Sequence, residues 1–278
     1  MIVFLNGWFV SEDRAVVSVF DRGFLYGDGL FETVPVRNGK PFRWAQHLER
    51  LLRGAKFLKI ILPFTPGALL EAAGKLIAKN KMPNALLRLS LSRGVGMRGY
   101  SPKDASTPTL VMTLHPAPPT GKGTWKLITA SQRLPAGDPL AQFKTANKLP
   151  QILARAEADK AGADEALLLN TRGRVVEGAA GNLFWVGNGT ICTPPQAAGV
   201  LPGVTRTVVL EVCRELKIKT REKSPRVKDL FAAQGVFLSL SSRGIVEAVE
   251  LDGRKLRRAA VVKQLRSAYA ECLRAETA

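Results

Sequence analysis

In the first part of the chain, apolar and polar residues alternate in short runs bounded by turn residues. "MIVFLNGWFV" reads strand–turn–strand about Asn6-Gly7. "FETVPVRNGKPFRW" reads the same way about Asn38-Gly39, where paired residues tolerant of positive φ favour a tight hairpin. In "RWAQHLERLLRGAKFLKI", Leu48, Leu51, Leu52, Ala55 and Leu58 recur at helical spacing, and "TPGALLEAAGKLIAKN" predicts a second helix. "ALLRLSLS" and "TLVMTLH" predict strands. "HPAPPTGKG" (115–123) follows, the densest Pro/Gly stretch and the best linker. Beyond it come a strand "TWKLITA", a helix over Lys148–Ala161, a hairpin "EALLLNTRGRVVEG", and strands "NLFWV" and "TICTP". A helix "TRTVVLEVCREL", a strand "GVFLSL" and a last helix over 259–275 complete the pattern. The expected fold is α+β (mixed α/β) with two domains: a small one over 1–115, a linker at 116–123 and a larger one over 124–278.

Composition narrows this little. The 278 residues are 46% apolar, enough for a sizeable core, and no apolar run approaches a membrane span. The opening stretch turns at Asn6-Gly7, so it reads as a strand and not an export signal. Cys192, Cys213 and Cys272 lie far apart with no metal spacing, which fits a reduced cytoplasmic protein. The net charge of +18 raises nucleic-acid binding. The densest basic cluster, "RKLRRAAVVKQLR" (254–266), instead reads as the wet face of an amphipathic helix, with no helix-turn-helix, zinc-finger or RNA-recognition signature. A small-molecule substrate is expected, with neither nucleic acid nor membrane as partner.

Candidate chemistry starts at Lys144, which stands between Phe143 and Thr145 in a stretch of small and apolar residues. On position alone, a lysine reaching to water is the simpler reading. Its company changes the picture. "VVEGAAGNLFW" sets Glu177 in a loop of small residues, and "GVLPGVTR" is a Gly/Pro turn opening a helix at Val204-Thr205, whose unpaired N–H groups make an anion cradle. Each feature alone is common. Together, an amine for a Schiff base, a carboxylate for a ring nitrogen and a cradle for a phosphate suggest pyridoxal 5′-phosphate.

The chain resembles the fold-type IV pyridoxal-phosphate enzymes, the class IV aminotransferase superfamily with its D-amino-acid-aminotransferase-like architecture. The resemblance runs nearly end to end, through "DRGFLYGDGLFET", "HLERL", "SRGVGMRGYSP", "KTANKLPQILARAEA", "ADEALLLNTRGRVVEGAAGNLFWV", "GVLPGVTR" and "GVFLSLSSRGI". It implies that Lys144 is the Schiff-base lysine and proton shuttle, and that Glu177 pairs with the pyridinium nitrogen. It implies that Arg50 binds the phosphate, with Val204, Thr205 and Ser241 adding contacts. Ser241 and its neighbour Ser242 read equally as a plain turn pair. Asn147 reads as ordering the loop.

The resemblance also implies a site completed by a partner subunit, hence a homodimer. The superfamily includes transaminases of branched-chain and D-amino acids and 4-amino-4-deoxychorismate lyase, which releases pyruvate and 4-aminobenzoate in folate biosynthesis. Where D-amino-acid enzymes usually carry a tyrosine and an Arg-x-His trap, this chain has Phe31-Glu32 and Arg98-Gly99-Tyr100. Where branched-chain enzymes read "FEG", it has Phe31-Glu32-Thr33. "SRGVGMRGYSP", Thr33 and "NLFW" resemble the lyase pattern, so the lyase is the expected activity, with a branched-chain or D-amino-acid aminotransferase as the alternative. Arg98 is then the candidate for a substrate carboxylate, and Tyr100, Thr33 and Tyr26 are candidate pocket residues.

Overall fold

The computed structural model describes residues 1–119 and 123–278. The linker expected at 116–123 therefore includes three residues, Thr120, Gly121 and Lys122, that lie outside the described residues. The chain forms two compact units. Met1–Ala117, Phe143–Asn147 and Arg274–Ala278 make up the first, and Pro118–Gln142 with Lys148–Leu273 the second.

The first unit is built on strands β1 (Ile2–Leu5), β2 (Trp8–Ser11), β3 (Gly29–Arg37), β4 (Lys40–Pro41), β5 (Ala85–Ser92) and β6 (Thr109–Pro116). They form one antiparallel sheet in the order β2-β1-β6-β5-β3-β4. Both Asn-Gly hairpins form as expected, with φ of 49° and 100° at Asn6-Gly7 and 49° and 77° at Asn38-Gly39. The helices are α1 (Arg22–Tyr26), α2 (Trp44–Leu58) and α3 (Pro66–Asn80). Thr65 starts α3 by accepting the Ala68 N–H, with Pro66 in the first turn where no donor is needed. Period-two alternation sends Leu30, Val34, Leu87, Leu89 and Met112 to one sheet face, where they pack with Leu48, Leu51, Leu69 and Leu76 of the helices. Each such leucine stabilises the fold by roughly 1.5–3 kcal/mol on burial. Phe31, Thr33 and Arg88 take the opposite parity on β3 and β5.

The second unit contains β7 (Thr124–Leu134), β8 (Glu165–Asn170), β9 (Val175–Gly178), β10 (Asn182–Gly187), β11 (Thr190–Thr193), β12 (Thr220–Glu222), β13 (Gly235–Leu240), β14 (Gly244–Leu251) and β15 (Arg254–Lys255). The sheet order is β12-β11-β10-β13-β14-β7-β8-β9, with β15 on β14. The β11–β12, β14–β7 and β7–β8 pairs are parallel and the others antiparallel. The helices are α4 (Leu149–Lys160), α5 (Val204–Glu215), α6 (Val227–Phe231) and α7 (Ala260–Thr277). Every residue of β8 and β13 is buried, which explains the apolar runs at 166–169 and 236–238. The hydrophobic pattern did not predict β14. Glu247 interrupts its apolar run, yet it is buried and pairs with Arg258 at 2.6 Å. Among the described residues, no helix is long and apolar enough to cross a membrane.

Candidate active site

In the first unit, the segment around Lys144 lies against the start of β3. Lys144 O accepts the Phe31 N–H at 2.9 Å, Ala146 N–H donates to Gly29 O at 2.9 Å, and Thr145 bridges Leu30. Phe143 is buried in the helix-side core and packs on Phe57 with ring centroids 4.6 Å apart. The next residue therefore projects to the other side, where Lys144 Nζ lies 4.6 Å from the centre of the Phe31 ring. A lysine stands in this apolar stretch because the stretch is a short added strand with a core face and an aromatic face.

The same ring carries a second cation. The Arg88 guanidinium sits 4.0 Å from its centroid, and burial lowers the pKa of Arg88. Thr33 is the register partner of Arg88, so Lys144, Phe31, Thr33 and Arg88 come together. Sequence reasoning missed Arg88. The alternation of "ALLRLSLS" places it on the non-core face, but its cross-strand partner is not readable from spacing.

Arg50 projects from α2 among buried residues. Its Nε and Nη2 donate to Glu32 Oε1 and Oε2 at 2.8 and 2.6 Å, and His47 Nδ1 meets Oε2 at 2.7 Å. Burial pushes the Glu32 carboxyl up, but the hydrogen bonds and charges of Arg50, with His47, outweigh it and hold the pKa at about 2. Burial likewise lowers His47, helped by the nearby positive charges of Arg50 and Lys144 and opposed by Glu32. Arg50 thus has its guanidinium plane fixed by a bidentate pair to Glu32. The signal that could have revealed Glu32 is "HLER", in which His47 and Arg50 fall on the same helical stripe as Leu51.

Tyr26 and the 98–101 loop form a separate cluster in this unit. Tyr26 Oη accepts the Gly99 N–H at 3.0 Å, and its ring meets Tyr100 edge-on at 5.6 Å. Arg22, not singled out in the sequence, donates to the carbonyls of Gly99, Tyr100 and Ser101 at 2.9–3.1 Å and to Asp28 at 2.8 Å. Tyr100 itself is 88% exposed and Arg98 is exposed. Asn147 donates to Gly27 O at 3.0 Å, where φ of 66° favours glycine.

In the second unit, Glu177 stands on β9, half-buried. Its Oε2 accepts from Asn182 Nδ2 at 3.1 Å and from Leu201 N–H at 3.2 Å. Asn182 Nδ2 also donates to Leu201 O at 2.9 Å. The next turn opens α5, where Gly203 is the N-cap with no side-chain cap, and Val204 and Thr205 are the first, buried helical residues. A Cβ on Gly203 would lie 1.9 Å from Asn182 Oδ1, so only glycine fits beside that amide. Asn182 therefore links the carboxylate to the helix start. Opposite it on β13 is Ser239, buried, with no hydrogen-bond partner for Oγ among the described residues. Sequence reasoning named the following Ser241 and Ser242. Both are half-buried in the turn after β13.

These features suit a phosphorylated aldehyde with a ring nitrogen. The first unit offers a fixed amine, and the second a carboxylate that accepts hydrogen bonds, a helix start without a side-chain cap and a buried hydroxyl with no partner among the described residues; each is a group it would need. The fold is that of solved fold-type IV aminotransferases. The chain belongs to the class IV aminotransferase family, whose pattern matches residues 29–251, and the members of that family are pyridoxal-phosphate-dependent enzymes. It is 39% identical over 91% of its length to a Methanocaldococcus jannaschii protein named "Putative branched-chain-amino-acid aminotransferase", covering 89% of that protein. It is 29% identical over 90% of its length to the Bacillus subtilis aminodeoxychorismate lyase, covering 87% of it. The branched-chain aminotransferase of the archaeon Thermoproteus uzoniensis, solved with norvaline, superposes with a TM-score of 0.93 at 30% identity, covering 99% of this chain and 96% of that one.

Proposed function

We propose that the chain is an aminotransferase that moves an amino group between an amino acid and a keto acid. The observation that carries this is the backbone-fixed Lys144, with its amine on the Phe31 ring that Arg88 shares. The weight falls on amino transfer because identity to the M. jannaschii protein is 39%, against 29% to the lyase. Lys144 Nζ would hold the cofactor, Glu177 its ring nitrogen, and Arg50, Val204, Thr205 and Ser241 its phosphate. When bound, pyridoxal phosphate supplies an electron sink for negative charge at the substrate carbon. With the cofactor loaded, the Lys144 amine would take the α-carbon proton and pass it to the cofactor carbon and not back to the α-carbon, as amino transfer requires. Arg88 holds the substrate carboxylate, with Thr33 beside it.

A second reading, 4-amino-4-deoxychorismate lyase, is favoured by "SRGVGMRGYSP" and Thr33. It uses the same Lys144 amine to take a ring proton as pyruvate leaves. Arg98 and Tyr100 belong to a loop that in a homodimer would serve the other copy, and Tyr26, at the end of α1, holds that loop through the Gly99 N–H. Exposed Phe24 (74%), Met97 (71%) and Tyr100 (88%) support such an interface.

The test is a panel of L- and D-amino acids with 2-oxoglutarate, run beside 4-amino-4-deoxychorismate with pyruvate detection, on cofactor-loaded protein and on Lys144→Ala. Amino transfer that needs Lys144 is the expected result. Pyruvate release without any amino transfer would replace the first reading with the second.

A further inference from the structure

A cavity of about 670 Å³ lies at the turn end of β8 and β9 in the second unit, with Asn170, Arg172, Arg174, Ser224 and Arg226 in its wall. Its construction follows from the hairpin. Asn170 Oδ1 accepts the backbone N–H of both Arg172 and Arg174 at 3.1 Å, and Gly173 turns the chain at φ 68°. Val175 N–H donates to Pro225 O at 2.8 Å, and Arg174 Nη1 to Ser224 O at 3.2 Å. These bonds hold the 224–226 segment against the hairpin and bring Arg226 to the cavity that holds the other two arginines. Asn170 Nδ2 reaches Ala198 O at 3.4 Å on the far wall, where small residues leave the space open.

The charges in this wall are unbalanced. Elsewhere the buried arginines take carboxylates: Arg22 and Arg93 share Asp28, Arg50 takes Glu32, and Arg206 takes Glu222. Among the described residues, none of Arg172, Arg174 and Arg226 is ion-paired. Two carboxylates lie three residues from these arginines: Asp229 accepts the backbone N–H of Arg226 at 2.7 Å, and Glu177 accepts from Asn182 Nδ2 and Leu201 N–H. On a convex surface, three arginines would be solvated separately. Here they share a concave wall, where like charges repel and the low-dielectric rim focuses their field. The volume exceeds that of one inorganic ion and falls within the range of small-molecule pockets.

We infer that this cavity binds a small organic anion carrying two or more carboxylate or phosphate groups, with Arg172, Arg174 and Arg226 as its ligands. The guanidinium forks bind oxyanions bidentately, and Asn170 and Ser224 supply neutral polar contacts. The inference is independent of the reaction proposed above.

The experiment is calorimetric titration of the cofactor-loaded protein, so that the cofactor's own phosphate contacts are already made. The probes are citrate and inorganic pyrophosphate, against sodium chloride at matched ionic strength. Saturable binding of either is expected; citrate alone points to a polycarboxylate, pyrophosphate alone to a phosphate ester. Arg172→Gln/Arg226→Gln should weaken that binding at least about tenfold, since a hydrogen bond to a charged group carries that much per site. Arg172→Glu/Arg226→Glu should abolish it. Both positions are exposed, so thermal unfolding should match the parent. Arg257→Gln/Lys263→Gln, an equal loss of charge elsewhere, should leave the affinity unchanged. Absence of saturable binding by both probes would overturn the proposal. So would unaltered binding in the cavity variants, or an equal loss in the Arg257/Lys263 control.

Discussion

Replacing Glu32 with glutamine would leave Arg50 and His47 facing a neutral group of the same shape. Two routes give the magnitude. Removing one partner of a buried ion pair costs about 3–5 kcal/mol. The fall of the Glu32 pKa from an ordinary 4.5 to about 2 corresponds to about 3 kcal/mol. Because the folded pKa is the lower one, this stability is fully present above pH 4.5 and is lost as the pH falls towards 2. Urea unfolding of parent and Glu32→Gln, followed by tryptophan fluorescence, should show a gap of about 3 kcal/mol at pH 7. The gap should close as the pH falls through that window, because the parent loses stability there that the variant never had. A gap below about 1 kcal/mol at pH 7, the value of an exposed pair, would refute the reading. A gap that ignores pH would refute it too.

Gly203→Ala should push Asn182 away from Glu177, lower stability by about 1–3 kcal/mol, and weaken cofactor binding in a fluorescence titration. Arg88→Met should raise KM for amino and keto acids about 10- to 100-fold with a smaller effect on kcat, as expected for a lost charge-assisted carboxylate contact. Tyr26→Phe removes the acceptor of the Gly99 N–H but leaves the bonds from Arg22. Amide exchange at Gly99 should therefore speed up only about fivefold, read by hydrogen exchange and mass spectrometry.

The local elements were legible where one physical signal dominated. Both Asn-Gly hairpins, α2, α3 and α5 follow from turn chemistry and helical spacing. The strand β14 was not, since Glu247 broke its apolar run and its partner Arg258 lies eleven residues on. A turn signal was present at Asp252-Gly253, where φ is 50° and 75°. Around the candidate site, Lys144, Glu177 and the start of α5 stood out by residue type and by resemblance. Glu32 and Arg88 did not, because their importance rests on register and on a pairing across 18 residues with Arg50. The cavity arginines are adjacent only because the hairpin and the 224–226 segment share backbone bonds.

The pairing of Lys144 with β3 also sets an order of assembly during synthesis. Thr145 bridges Leu30 across more than a hundred residues, and Asn38 Nδ2 donates to Thr277 O at 3.2 Å, 239 positions away. Arg43 pairs with Glu276 at 2.6 Å. The first sheet emerges early from the ribosome, but its unit is not complete until residues 274–278 have been made. A translated fragment that stops before residue 143 would carry β3 with one edge of its Gly29–Phe31 backbone unpaired. A fragment that begins at residue 118 would carry Lys144 without the strand that aims it. The first unit is thus not one continuous stretch of chain, and Lys144 meets β3 only in a product that carries both residues 29–31 and the later segment 143–147.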